Sequence, residues 1–270
     1  MSSSPTSQYV SSNGISIWVN TLGMGTPLLL LHGGMGTATD NFHDHIPIFA
    51  RHFRVIAPDS RGHGRTNNPG GILSYGLMAD DVAGLIRALG LSSPLVCGWS
   101  DGGQIALELA IHHPGLAAAY VAGGVYRTLT EQSISDLNAV GFRAPGSIDL
   151  PQLEQSMPEL MSKARQIHSP QGLEYWKELL VSISSLWLTP FDYKDEDLAT
   201  IKAPVLFLLG DRDEFNPLEQ VVEMHRLIPS SELAIVPNSD HSLRSDVRRF
   251  TDIVLEFLMR HQPTGQPEPV

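Results

Sequence analysis

Short continuous apolar runs recur along this chain, separated by stretches with helical spacing. Residues 27–32 (PLLLLH), 53–59 (FRVIAPD), 94–98 (PLVCG), 117–124 (AAAYVAGG) and 203–210 (APVLFLLG) are largely apolar at successive positions. Such runs predict strands covered on both faces, as in the middle of a parallel sheet. Residues 232–238 (ELAIVPN) predict one more. Residues 15–22 (ISIWVNTL) alternate apolar with polar, as a half-exposed strand near a sheet edge does.

Helical spacing fills the intervals. After Ser74, a good N-cap, Val82, Leu85, Ile86 and Leu89 recur on one face, and Gly90 closes the segment. Residues 105–111 are apolar nearly all round, which predicts a buried helix. Residues 217–228 open with a proline suited to a first turn, and 247–260 place Phe250, Ile253, Val254 and Phe257 on one face. This alternation predicts an α/β fold with a doubly wound, mostly parallel sheet.

The alternation stops between about Tyr126 and Thr200. That stretch has no convincing core strand and five prolines, at 145, 151, 158, 170 and 190, among helix-like segments bearing Phe142, Trp176, Trp187 and Phe191. It is expected to be a helical insertion laid over the sheet. The expected organisation is therefore a core formed by 1–125 and 201–260, a helical cap at 126–200, and a Pro- and Gln-rich flexible tail at 261–270.

Composition narrows the function classes. The chain has 270 residues and a net charge of −11, from 18 basic and 29 acidic side chains. That balance disfavours nucleic acid and anionic membranes as partners. A single cysteine, Cys97, excludes an internal disulfide framework and suits a reducing compartment. The opening residues MSSSPTSQYV have neither the basic nor the apolar region of a signal peptide, and no apolar stretch reaches membrane-spanning length. A cytoplasmic location is expected; oligomeric state is left open.

The densest chemistry lies at 97–104, CGWSDGGQ, where three glycines surround Ser100 between a predicted strand and a predicted helix. This matches the G-x-S-x-G nucleophile elbow, a strained strand-to-helix turn with no room for side chains beside it. The following helix, expected from Gly102 onward, would turn its free N–H groups toward the serine. A serine needs a base. His241, in PNSDHS after the last strand, is the candidate. Asp213, in GDRDEFNP, is the candidate acid that orients the imidazole, with Asp211 as its rival. Ser, Asp, His is the chain order that such a sheet requires. Two backbone donors would stabilise an oxyanion: the N–H of Asp101, and one from HGGMG (32–36), with Gly34 preferred to Met35.

Together LLLHGG, APDSRGHGRT, CGWSDGG, GDRDEFNP and DHS resemble the α/β-hydrolase superfamily, in its serine esterase and lactonase branch with a helical cap. The resemblance implies Ser100 as nucleophile, Asp213 as acid, His241 as base, and Gly34 and Asp101 as oxyanion donors. It also implies structural roles for Asp59, Arg61, Gly62 and Gly64. Relatives that open epoxides or remove halides use an aspartate nucleophile, which position 100 lacks. The metal-lactonase pattern H-x-H-x-D-H is only half present at His43-Asp44-His45, which is expected to be an exposed helix start, so no metal is implied. No G-x-G-x-x-G follows a first strand, and no cofactor is expected.

The expected activity is hydrolysis of small-molecule carboxylic esters or lactones, N-acyl-homoserine lactones among them, through an acyl-enzyme on Ser100. One alternative is an amino-acid ester hydrolase or aminopeptidase-like enzyme, with Glu131, Asp136, Glu154 or Glu159 meeting an ammonium group. Another, of a different class, is a ligand-sensing receptor of this fold with little turnover. Trp99 is expected to pack on the sheet, Trp176 and Trp187 to join the core, and Cys97 to be an inert core residue. Met35, Trp99 and Trp187 are the candidates for substrate contact.

Overall fold

The computed structural model describes residues 4–263. Its main sheet contains β1 (Thr6–Ser12), β2 (Ile15–Leu22), β3 (Pro27–Leu31), β4 (Arg54–Pro58), β5 (Leu95–Trp99) and β6 (Ala119–Gly123). A small antiparallel hairpin outside it, β7 (Phe142–Ala144) and β8 (Ser147–Ile148), precedes β9 (Val205–Gly210) and β10 (Ser231–Val236). The sheet order is β1-β2-β4-β3-β5-β6-β9-β10. Pairing is parallel from β4 to β10, whereas β2 runs antiparallel to both its neighbours.

The unbroken apolar runs follow from a sheet buried on both faces. Leu29 and Leu31 of β3 pack with Val96, Tyr120, Ala122, Phe207 and Leu209, under the helices Tyr75–Ala88 and Asp101–His112. Leu28 and Leu30 turn the other way, toward Cys97, Val121, Leu206 and Leu208, and meet Phe250, Val254 and Phe257 of the helix Val247–His261. Ser74 caps its helix as expected, its side chain accepting the Leu77 N–H at 3.2 Å.

Several expectations are corrected. The strand expected at 232–238 is β10, a half-buried edge of the sheet and not a strand covered on both faces; the opposite edge is β1, mostly exposed and polar and so hidden in the sequence pattern, and β2 lies beside it, near the edge as expected. The helix after Ser100 begins at Asp101, one residue early. His43 is exposed but His45 is only 2 % exposed, packed edge-on against Phe42 and Phe250. The last helix runs through His261, the first residue of the expected tail, and residues 264–270 lie outside the described residues.

Between β6 and β9 the chain leaves the sheet for the helices Glu131–Val140, Leu150–Ser156, Pro158–Ile167, Tyr175–Leu188 and Asp195–Ala199. Trp176, Leu179, Leu180 and Ile183 join the apolar layer above the sheet, so the insertion shares a core with it. Polar contacts fasten it as well. The Tyr175 hydroxyl donates to the Gly62 carbonyl at 3.0 Å, and Tyr193 donates to Gln104 Oε1 at 3.1 Å. Among the described residues no helix is long and apolar enough to cross a membrane.

Candidate active site

The end of β5 sets the site. Ser100 has φ 56° and ψ −122°, a conformation that non-glycine residues rarely adopt and that costs about 1–3 kcal/mol. Its N–H is held by the Gly123 carbonyl at 2.8 Å, and its carbonyl accepts from Gly103 and Gln104 N–H at 2.8 and 3.0 Å. A Cβ on Gly98 would run into the Gly102 carbonyl, and one on Gly102 into the Leu31 carbonyl. Close backbone approach therefore accounts for both glycines.

His241, on the loop after β10, places Nε2 3.1 Å from Ser100 Oγ and Nδ1 2.9 Å from Asp213 Oδ2. With Nδ1 protonated and donating to Asp213, Nε2 is free to accept the serine proton. The Asp213 side chain is fully buried. Its Oδ1 accepts the backbone N–H groups of Phe215 and Asn216, each at 3.1 Å, and the Asn216 amide at 2.9 Å. Asp211 instead accepts the Ser239 N–H at 3.2 Å, which ties the loops after β9 and β10 together. The imidazole of His241 lies between Trp99 and Phe215, with ring centroids 5.7 and 5.2 Å away.

The glycine-rich loop after β3 is held by imidazoles of defined tautomer. His32 Nε2 accepts the Ser60 N–H at 2.9 Å, so Nδ1 carries the proton that meets the Gly33 carbonyl at 2.8 Å. In a trans peptide the carbonyl and the following N–H point opposite ways. His32 therefore turns the Gly34 N–H away from itself. Burial pushes the His32 imidazole down to about 4, so it stays neutral. Met35 has φ 60° and is buried, and the Asn41 side chain accepts the Gly33 N–H at 3.0 Å. The Asp101 N–H, at the first helical residue, has no partner within its own helix.

The Asp101 side chain adds a feature that sequence patterning did not signal. It is 5 % exposed and accepts from Tyr75 Oη at 2.9 Å and from Trp187 Nε1 at 2.9 Å. Burial pushes its carboxyl up to about 6, against the downward pull of those two bonds and of nearby His241. Trp187 thus belongs to the site, its indole seated so closely over Gly34 that a Cβ there would lie 2.5 Å from it. Trp176, by contrast, is a core residue. Cys97 is fully buried, and burial pushes its thiol up.

A cavity of about 370 Å³ opens above these residues, with Ser100, His241, Gly34, Met35, Trp99 and Trp187 in its lining. It lies outside the carboxyl ends of the strands, where open α/β sheets bind ligands. The insertion supplies an apolar wall that includes Leu129, Leu137, Val140, Phe142, Met157 and Leu160. None of Glu131, Asp136, Glu154 and Glu159 lines it, and Glu154 is paired with Arg165 at 2.9 Å. The charged lining residues that sequence analysis missed are Asp40, Lys163 and Arg244, brought there from three separate segments; Lys163 Nζ lies 2.7 Å from Asp40. Asn216, three residues after Asp213, is the one missed partner with a local signal, since an asparagine there can close a turn on the acid.

Comparisons with known proteins place the chain in a family. The chain is 31% identical over 268 residues to a 2-hydroxy-6-oxo-2,4-heptadienoate hydrolase of Pseudomonas putida, covering 92% of this chain and 95% of the relative. Its structure resembles a thermophilic esterase from Thermogutta terrifontis with a TM-score of 0.76 and 25% identity, covering 96% of this chain and 100% of the esterase. An N-acyl homoserine lactone degrading enzyme, Est816, shares the fold with a TM-score of 0.70 at 21% identity, over 93% of this chain and 100% of that one. The model of the alpha/beta hydrolase family matches residues 28–252. With a serine elbow at the end of β5 and this match over most of its length, the chain belongs to the alpha/beta hydrolase family.

Proposed function

We propose that the chain hydrolyses carboxylic esters or lactones through an acyl-enzyme on Ser100. The observation that carries this is the continuous relay from Ser100 Oγ through His241 to Asp213, at 3.1 and 2.9 Å, opening into an apolar-walled cavity. Ser100 Oγ attacks the carbonyl carbon as its proton passes to His241 Nε2. The carbonyl oxygen becomes an oxyanion, and the N–H groups of Gly34 and Asp101 receive it; losing such a donor costs about 3 kcal/mol in comparable sites. Collapse breaks the C–O bond to the leaving alcohol, which takes the proton from His241. Water, deprotonated by the same imidazole, then releases the acid. In a lactone the alcohol remains tethered to the acyl product.

Hydrolysis of p-nitrophenyl esters from acetate to decanoate, set against acyl-homoserine lactones of similar chain length, tests this reading with Ser100→Ala as the control. Turnover that vanishes in Ser100→Ala supports it, and the ratio of kcat/KM between the sets decides ester or lactone. Lack of turnover on both sets moves the receptor alternative forward. The Pseudomonas putida relative favours a second reading, hydrolysis of an oxo-dienoate by the same serine. Loss of dienoate absorbance is its assay.

A further inference from the structure

Two cations line the cavity, and they differ in one respect. Lys163 already has a carboxylate, that of Asp40, at 2.7 Å. Arg244, in the single 3-10 turn Leu243–Ser245 just past His241, lies within ion-pair distance of no carboxylate among the described residues, and Asp40 attracts it only from beyond that distance. Its Nε is buried without a hydrogen-bond partner. Its guanidinium carbon lies 5.8 Å from the centroid of the Phe42 ring, so one side of the cation rests on an apolar face. A guanidinium stays charged at any working pH, and a desolvated cation without a close counter-ion is costly. Such a group is either a liability or a receptor for an anion that arrives with the ligand.

Resting on the hydrolase reading above, we propose that the preferred substrate carries a carboxylate in addition to the scissile bond, and that Arg244 binds it. The fork of a guanidinium matches a carboxylate better than any other common anchor in the protein repertoire. The rest of the lining fits an acid of modest size. The apolar wall from the insertion takes the carbon chain, and Asp40, which attracts Arg244 from a distance, is itself paired with Lys163, so no carboxylate of the lining closes on Arg244. Asp101 is engaged by Tyr75 and Trp187, and it offers no partner to Arg244.

The test uses two matched ester pairs, because the carboxylate can sit on either side of the scissile bond. One pair is 4-nitrophenyl hydrogen glutarate and 4-nitrophenyl pentanoate; the other is 4-carboxyphenyl acetate and phenyl acetate. In the native protein kcat/KM for the carboxylated member of at least one pair is expected to exceed that of its neutral partner by about tenfold or more, as for a charge-assisted anchor. In Arg244→Met, or Arg244→Gln if the first variant folds poorly, that ratio is expected to collapse toward one; Arg244→Lys retains part of it. Equal rates within both pairs in the native protein, or a preference that survives Arg244→Gln, overturns the proposal while leaving the hydrolase reading in place. If no ester of either kind is hydrolysed, the hydrolase reading fails by itself. Calorimetric binding of glutarate to the native protein and to Arg244→Gln then still decides the anion site: binding that the variant loses supports it, and equal or absent binding overturns it.

Discussion

His168 Nε2 donates to the Met35 carbonyl at 3.1 Å, while His168 Nδ1 accepts the Gly64 N–H at 2.8 Å. One side chain of the insertion thereby holds the loop that carries Gly34 and the turn after β4. The residue is fully buried, and burial pushes its imidazole down to about 4. His168→Ala would leave a carbonyl and an N–H without partners in a dry site, at a cost of about 3 kcal/mol. Urea denaturation is expected to show that loss, and kcat on the ester set to fall more than KM rises. His168→Gln, which can keep the donor to Met35, is expected to recover part of kcat; an unchanged kcat in both variants would refute the coupling.

The same burial makes the fold sensitive to acid. His32, His45 and His168 are each pushed down to about 4, and His63 is lowered as well. Their neutral forms contribute stability that is fully present above about pH 6.5 and is lost as pH falls toward 4. Asp59 and Asp101, each pushed up to about 6 by burial, act the other way over the same range. Burial raises Asp81 and Glu108 as well, each partly offset by a neighbouring Arg61 or His112, so the four buried histidines set the direction and unfolding takes up protons near pH 5. The urea midpoint is therefore expected to drop between pH 7 and 5; a flat or rising midpoint would contradict this balance.

Tyr75 and Trp187 both donate to the ionised form of Asp101. Removing either donor, by Tyr75→Phe or Trp187→Phe, is expected to move the Asp101 titration upward from about 6, since a hydrogen bond to the charged form favours it. Carbon-13 chemical shifts of the Asp101 carboxyl across a pH series measure the midpoint directly. A midpoint that stays in place would mean that neither bond persists in solution.

Asp213→Asn preserves shape at a fully buried position but removes the acceptor that fixes the His241 tautomer. A fall in kcat of about 10⁴-fold is expected by analogy with triads of this geometry. Thermal denaturation at neutral pH should show a folded protein, which separates lost chemistry from lost structure.

Gly98→Ala places a methyl group against the Gly102 carbonyl, a backbone atom that cannot give way without moving the elbow. A loss of about 3 kcal/mol or more is expected, with little soluble protein recovered. Normal yield and an unchanged melting temperature would show that the turn is looser than its geometry suggests.

How much of this was legible in the sequence depends on where each signal resides. Strands β3 to β6 and β9 announce themselves because two buried faces demand continuous apolar residues, whereas β10, a half-buried edge, shows only a short apolar run. β1 does not, since TSQYVSS at an edge needs hardly any. The hairpin β7–β8 is too short to leave a pattern. Ser100, Asp213 and His241 are legible because each sits in a local turn with its own residue signature. The walls are not. Tyr75, Lys163, Trp187 and Arg244 converge from four separate segments, and nothing in the helical stripe of Tyr175–Leu188 separates Trp187, which meets Asp101, from Trp176, which meets the core.

Two of the contacts that pin the insertion to the sheet lie beside the elbow: Trp187 on Asp101, and His168 on Met35. Between these two studs the wall is built of ordinary apolar side chains such as Leu137, Val140, Met157 and Leu160, only partly buried and with no polar obligations of their own. For anyone retuning this protein, the freedom to vary is therefore uneven. Exchanging wall residues for larger or smaller apolar ones reshapes the cavity while the chemistry beneath it keeps its alignment, whereas a change at 168 or 187 alters both together.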